Sequence, residues 1–153
     1  MSMMRQVAAL PIRHLEGGDL EMLIVTSRDT GRWVIPKGWP IAGKEDSAAA
    51  ATEAFQEAGV TGVVSSKPIG SYRYFKRMAD GAHLVDVSVY LLAVTKEKKR
   101  WREQSQRRRV WLPLLNAARQ VREPGLRALI AELQRASGQP KREKRRKRDW
   151  AQA

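Results

Sequence analysis

The apolar positions of this chain follow two different periods. Short apolar runs between turn residues predict β-strands, and apolar residues three and four positions apart predict amphipathic helices. The mixed order of these elements predicts an α/β fold with a mixed β-sheet. The predicted strands cover residues 6–12, 21–27, 33–35, 84–95 and 110–112, with one or two more between 62 and 74. The predicted helices cover residues 46–58, 113–121 and 125–136.

Residues 36–60 combine a glycine-containing loop, an alanine-rich helix and a glycine stop. Asp46 or Ser47 can cap the start of this helix, and Gly59 stands where a left-handed residue ends one. We expect the side of the helix that carries small and apolar residues to press on the sheet. These residues are Ala51, Ala54, Phe55 and Ala58.

The opposite side of this helix carries oxygen-bearing side chains. Glu53, Gln56 and Glu57 are three and four positions apart, so they share one helical face. Two carboxylates next to a loop suit Mg²⁺, with Mn²⁺ as an alternative ion, because such a cation completes its shell with water and substrate phosphate. A run of this kind alone is more often a solvated face. The preceding strand and tight loop, residues 32–38, favour a site instead.

The spacing of this segment resembles the signature of the Nudix hydrolases, G-x5-E-x7-R-E-U-x-E-E-x-G-U, where U is a bulky apolar residue. It begins at Gly38 and ends at Val60. The resemblance covers roughly residues 5–135 and implies an α/β/α sandwich and magnesium-dependent hydrolysis of a diphosphate linkage. It also implies catalytic roles for Glu53, Gln56 and Glu57, with Glu53 and Glu57 as metal ligands.

Four positions depart from the signature. Lys44 replaces a glutamate and Thr52 an arginine, so if the two positions support each other, the joint change leaves no unpaired charge. Gln56 replaces a glutamate and keeps an acceptor oxygen without the negative charge. Ala54 is smaller than the usual apolar residue. Glu45, beside Lys44, could restore part of the missing charge.

The chain also resembles one branch of that family, the diphosphoinositol polyphosphate and diadenosine polyphosphate hydrolases. The resemblance lies in Ser27-Arg28, Arg32-Trp33, Pro36-x-Gly38, Trp101 and residues 107–112. It implies that basic residues near the metal helix bind a phosphate-rich substrate. The implied substrate-binding residues are Ser27, Arg28, Lys37, Gly38 and Trp39, with Arg5 as a weaker candidate.

Several other conspicuous residues have plainer interpretations. Trp33, Trp101 and Trp111 are expected to pack, whereas Trp39 in the loop can stack on a base. The arginines at 107–109 are interpreted as a solvated loop beside an edge strand, and Glu97 and Glu103 as solvated carboxylates.

Length and charge complete the prediction. The 153 residues suffice for one domain, placed at 1–137, and the highly charged segment 138–153 predicts a disordered tail. The net charge of +13 is concentrated in two segments, 96–109 and 141–153, and such patches attract polyanions. There is no cysteine, no apolar run long enough for a membrane span and no signal peptide, which predicts a cytoplasmic protein.

The sequence leaves three alternatives to a working hydrolase. The altered signature is compatible with a domain that binds a phosphorylated ligand without cleaving it. The basic residues 141–148 are compatible with RNA-directed hydrolysis or with non-specific binding of RNA or another polyanion. The same tail could also serve solubility alone.

Overall fold

The computed structural model describes residues 3–138, which form eight strands and three helices. The predicted region 62–74 resolves into two strands, and a turn at Asp80-Gly81 joins the second of them to the longest strand of the sheet. The strands are β1 Met4–His14, β2 Leu20–Thr26, β3 Trp33–Val34, β4 Lys37–Gly38, β5 Val60–Val64, β6 Gly70–Met78, β7 Gly81–Glu97 and β8 Arg109–Pro113. The helices are α1 Asp46–Ala58, α2 Leu114–Gln120 and α3 Pro124–Ala136.

All eight strands belong to one mixed sheet, as the sequence predicts. Its main path runs β3-β2-β1-β7-β5. β1 pairs in parallel with β7 and antiparallel with β2 and β4. β6 pairs with β7, and β8 pairs with β2. The pairing of β4 with β1 holds the loop around Gly38 against the centre of the sheet.

The sheet is buried on both faces, and β1 shows why. Its alternating side chains point to opposite sides of the sheet. Val7 and Ala9 join a core with α1, whereas Leu10 and Ile12 join a second core with α2 and α3. The predicted α/β/α sandwich is therefore confirmed.

Helix α1 has the predicted bounds, but its start differs from the prediction. Glu45 occupies the N-cap position, and no side chain caps the helix there. Asp46 instead accepts a hydrogen bond from Arg5 Nη1 at 2.6 Å. Gly59 ends the helix with φ of 70°, a left-handed conformation that favours glycine.

The apolar face of α1 is narrower than predicted. Its buried apolar positions are alanines only, which bring the helix close to the sheet. Phe55 is 39% exposed, because it lies about 100° around the helix from the buried Ala54. Its ring lies 5.8 Å from Lys98 Nζ. Phe55 is therefore a surface contact and not part of the core.

The predicted tail, residues 138–153, lies outside the described residues except for Gly138. Within residues 3–138, no helix has both the length and the apolar character needed to cross a membrane.

Candidate functional site

A polar cleft of about 280 Å³ opens where β4, α1 and the loop after β7 meet. It brings together residues that are far apart in the sequence, including all those predicted to bind substrate or metal except the weaker candidate Arg5. Its lining consists of Gln6, Ser27, Arg28, Asp29, Val34, Lys37, Gly38, Trp39, Glu53, Glu57, Lys76, Glu103 and Arg107.

Gly38 lies directly against the carboxylate of Glu53. A β-carbon built on Gly38 would stand 2.4 Å from Glu53 Cδ and 2.5 Å from Oε2. No side chain fits there unless Glu53 moves, so the glycine allows the strand β4 and the helix α1 to approach each other this closely. The first glycine of the segment therefore has a steric role that is specific to this carboxylate.

Glu57 is the more buried of the two helix carboxylates. Its Oε1 accepts the backbone N–H of Lys37 at 3.3 Å, and its Oε2 lies 3.5 Å from Arg107 Nη2. Burial raises the pKa of Glu57 to about 8, although the positive charge of Arg107 opposes the shift. A carboxyl group with this pKa holds a proton near neutral pH unless a further cation binds beside it.

Glu53 and Glu57 form a hydrogen-bonded pair of side chains. Burial is also the main cause that raises the pKa of Glu53. The pair is thus one acidic unit, in which a proton is shared in the absence of a cation.

The ammonium group of Lys37 enters the same cleft. Its Nζ lies 5.1 Å from the centre of the Tyr74 ring, and among residues 3–138 it forms no ion pair within 4.0 Å. Burial lowers the pKa of Lys37, and the charges of Glu57 and Glu123 oppose that change. Lys37 therefore presents a charge that can bind an anion.

Arg107 is buried in the site, which corrects its interpretation as part of a solvated loop. Its side chain is 9% exposed. Nε bonds to Glu103 Oε1 at 2.6 Å, and Nη1 donates to the carbonyl of Thr26 at 3.0 Å. The reason is that the loop after β7 folds back over α1, where the Glu103 N–H donates to the Gln56 carbonyl. The four-residue spacing of Glu103 and Arg107 was the available sequence signal.

Glu103 is likewise not the solvated carboxylate that the sequence suggested. It lines the cleft, its side chain is 14% exposed, and it lies between Arg107 and Arg28. Arg109 is also partly buried and lies over the Trp101 ring at 3.8 Å. Its guanidinium donates to the carbonyls of Ala58 and Lys98. Of the three consecutive arginines, only Arg108 is exposed.

Arg28 and Trp39 stand at the mouth of the cleft. The guanidinium of Arg28 is exposed and donates to Gln106 Oε1 at 2.9 Å. Trp39 is 42% exposed, so its ring is accessible for stacking on a ligand. Ser27 lies beside Arg28 on the same wall.

Three residues considered from the sequence do not reach the cleft. Gln56 does not line it, although Glu53 and Glu57 on the same helix do. Arg5 is engaged by Asp46, and Glu45 is exposed at the N-cap of α1.

Lys44 and Thr52 do contact each other. Lys44 Nζ donates to Thr52 Oγ1 at 3.0 Å, and the hydroxyl in turn donates to the carbonyl of Ala48. At the two altered signature positions, a hydrogen bond from an ammonium group to a neutral hydroxyl therefore replaces the pair of opposite charges. No unpaired carboxylate remains there.

The capacity of the cleft for a metal ion rests on few ligands. Among residues 3–138, no group of three or more histidine, aspartate or glutamate side chains is arranged to hold a metal ion. Glu53 and Glu57, on one face of α1, offer adjacent carboxylate groups in the cleft. This donor set fits Mg²⁺, which commonly binds to one or two carboxylates and takes its remaining ligands from water and phosphate.

Comparisons with known proteins agree with this fold. Nudix hydrolase 21, chloroplastic, from Arabidopsis thaliana is 30% identical over 115 residues, which cover 72% of this chain and 56% of that protein. Nudix hydrolase 12, mitochondrial, from the same plant is 32% identical over 124 residues, which cover 76% and 59%. The chain thus spans less than two thirds of the length of these relatives. No protein-family profile matches it.

A solved structure shows the same architecture. The crystal structure of the Ap4A hydrolase of C. elegans superimposes with a TM-score of 0.63 and covers 88% of this chain and 98% of that one. The sequence identity is 17%, so this similarity speaks for the fold alone.

Proposed function

The chain belongs to the Nudix hydrolase family, and we propose that it hydrolyses a diphosphate linkage in a phosphate-rich small molecule. The observation that carries the proposal is the pair of Glu53 and Glu57, half-buried and buried respectively, beside the ammonium group of Lys37, which forms no ion pair among residues 3–138. An acidic pair and a cation in one cleft match a ligand that combines a metal ion with phosphate oxygens.

Glu53 and Glu57 would hold the divalent cation, Mg²⁺ or Mn²⁺. When bound, such an ion supplies charge neutralisation on the phosphates and lowers the pKa of a coordinated water. The residues fit the ion because burial raises the pKa of both carboxyl groups, and a bound cation would offset the cost of ionising them. Glu57 is fixed for this task by the Lys37 N–H and by Arg107.

The chain's own cations would bind the phosphates. Lys37 contributes a charge from the floor of the cleft, and Arg28 offers a guanidinium at its mouth, where bidentate contact with a phosphate is possible. Ser27 can donate a hydroxyl hydrogen bond, and Trp39 can stack on a ring carried by the substrate. Gly38 leaves the space that this arrangement needs.

The reaction adds one water molecule across the linkage. The water oxygen bonds to one phosphorus, the bond from that phosphorus to the bridging oxygen breaks, and two phosphate-bearing products form. Two carboxylates in the cleft can accept the proton of the water. Glu53 is half-buried and open to the cleft, whereas Glu103 is held by Arg107. Because Glu53 is also a proposed metal ligand, Glu103→Gln is the variant that tests proton acceptance alone. An unchanged pH–rate profile in Glu103→Gln would assign that role to Glu53.

Charge and resemblance support the proposed substrate class. A cleft with several cations suits diphosphoinositol polyphosphates and dinucleoside polyphosphates, and the solved structure of an Ap4A hydrolase shares the fold. The test is product release in the presence of Mg²⁺ from both classes, from nucleoside diphosphate derivatives and from triphosphorylated RNA. Product release by the parent protein that is absent in Glu57→Gln supports the proposal. The absence of product release from every substrate of the panel contradicts it.

Binding without cleavage is the second candidate, and a specific observation favours it. Glu103 and Glu57 are both engaged by Arg107, and Gln56 removes the charge of a further signature position. A site with so few free carboxylates holds a metal ion weakly. This candidate predicts ligand binding in the micromolar range with no product, and RNA binding that depends on residues 139–153 would be a separate activity of the same chain.

A further inference from the structure

A second cleft, of about 510 Å³, adjoins the first on the far side of Lys37. It lies between the turn at 29–32, strand β6 and the segment just before α3. Its charged lining residues are Arg32, Lys37, Lys76, Arg77, Arg122 and Asp29. Five cations thus face one carboxylate in this cleft.

Most of these cations are not neutralised within the protein. Among residues 3–138, Lys76, Arg77 and Arg122 form no ion pair within 4.0 Å. Arg32 is the exception, because its Nη1 bonds to the buried Glu123 Oε2 at 3.0 Å. The excess positive charge therefore rests on Lys37, Lys76, Arg77 and Arg122.

Glu123 fixes Arg32 in place behind this surface. Its side chain is 9% exposed, and its Oε1 has no hydrogen-bond partner among the described residues. A buried carboxylate of this kind requires nearby positive charge. Arg32 is thereby held at the wall of the cleft, where its remaining donors can meet a ligand without a further loss of side-chain freedom.

The two clefts are continuous through shared residues. Lys37 and Lys76 line both of them, as do Ser27, Asp29 and Val34. A ligand whose reacting phosphates lie beside Glu53 and Glu57 can therefore extend past Lys37 into the second cleft. A group that enters there meets the cations that line this cleft.

We propose that the second cleft is a subsite for a densely phosphorylated group carried by the substrate beyond its reacting diphosphate. The inference rests on the proposed function for its place in the reaction. A neutral group such as a nucleobase would cover Arg77 and Arg122 without compensating their charge. A group with several phosphates pairs with them and gains charge-assisted hydrogen bonds. Phosphate-dense substrates are accordingly selected over those with a single diphosphate.

The test is calorimetric binding to the full chain, without metal and at fixed ionic strength. Inositol hexakisphosphate is the dense probe, and ADP is the probe with a single diphosphate. The variant Arg77→Gln/Arg122→Gln removes two charges from the second cleft. Lys96→Gln/Lys99→Gln removes two exposed charges that line neither cleft and serves as the matched control. Both pairs are largely exposed, and unchanged melting temperatures confirm their folding.

The expected result is a loss of affinity for inositol hexakisphosphate of about tenfold or more in the cleft variant, with a change of less than about threefold in the control. The affinity for ADP is expected to change by less than about threefold in both variants. Equal losses in the two variants would mean general attraction of a polyanion to a basic protein. No loss in either, or an equal loss for ADP, would also overturn the subsite.

These outcomes are independent of turnover. If the protein releases no product from any substrate but shows the expected pattern of binding, the proposed hydrolysis is wrong and the subsite stands. If turnover depends on Glu57 but the cleft variant binds inositol hexakisphosphate as the parent does, the subsite is wrong and the proposed hydrolysis stands.

Discussion

Arg107 Nη2 lies 3.5 Å from Glu57 Oε2, and both side chains are 9% exposed. The guanidinium comes from the loop after β7, 50 residues beyond Glu57 in the sequence. The same guanidinium bonds to Glu103 at 2.6 Å and to the Thr26 carbonyl. Arg107 therefore connects α1, β2 and the loop in one wall of the cleft.

Replacing Arg107 with methionine is expected to cost roughly 2–4 kcal/mol of unfolding free energy, because it leaves two buried carboxylates without their cation. Urea denaturation measures this change. Arg108→Met is the matched control, since Arg108 is the exposed neighbour in the same loop. The control should lose less than about 1 kcal/mol. Similar losses in the two variants would show that Arg107 does not hold the wall together.

Gly38→Ala should displace the Glu53 carboxylate, because the new methyl group would stand 2.4 Å from Glu53 Cδ. We expect the affinity for Mn²⁺ to fall by about tenfold or more, which calorimetry measures. The side chain of Glu53→Asp is one methylene shorter and relieves the contact. The double variant Gly38→Ala/Glu53→Asp should therefore bind Mn²⁺ more tightly than Gly38→Ala alone. The reverse order of affinities would contradict this steric account.

The raised pKa of Glu57 predicts how the stability of the metal-free protein depends on pH. The ordinary pKa is 4.5 and the folded value is about 8, so between these values the folded state holds a proton that the unfolded state releases. This contribution to stability is fully present below about pH 4.5 and is lost as the pH rises through 8.

The side chain that Glu57→Gln introduces cannot ionise, so this variant does not lose stability as the pH rises through 8. In the absence of metal it should be more stable than the parent at pH 8.5, by on the order of 1–3 kcal/mol, and the difference should shrink towards pH 5. Thermal unfolding at both pH values measures it. A variant that is less stable than the parent at pH 8.5 would show that Glu57 is not destabilised by burial.

The contact between Lys44 and Thr52 predicts that these positions act as a pair. Thr52→Arg alone places a cation beside the ammonium of Lys44, and we expect a loss of about 0.5–1 kcal/mol. Lys44→Glu/Thr52→Arg should recover it, because the double variant restores opposite charges. A double-mutant cycle of unfolding free energies tests this coupling. Strictly additive effects would mean that the two positions are independent.

Local patterns predicted much of this protein correctly. The bounds of α1 follow from its alanine content and from Gly59, and the spacing of Glu53 and Glu57 on one helical face places both in the cleft. Gly38 and Lys37 reach the same cleft because the loop directly precedes that helix. These features depend on neighbours in the sequence, so periodicity and turn residues suffice to predict them.

The features that the sequence did not predict depend on contacts between distant segments. Arg107 and Glu103 were interpreted as solvated because their neighbours are charged, and only the fold-back of the loop over α1 buries them. Gln56 shares a helical face with Glu53 and Glu57 in a helical projection, yet it is not among the residues that line the cleft, and no local signal distinguishes it from them. Asp46 does not cap its helix, because Arg5 from β1 binds it.

The central claim is that Glu57 belongs to a metal-dependent hydrolytic site, and the rate of Mg²⁺-dependent product release tests it most directly. Glu57→Gln and Glu45→Gln make the same chemical change on and just before helix α1, but Glu45 is exposed outside the cleft. On the best substrate of the panel, we expect Glu57→Gln to lose at least about 100-fold in kcat and Glu45→Gln to stay within about threefold of the parent. Equal rates for the parent and Glu57→Gln would contradict the claim.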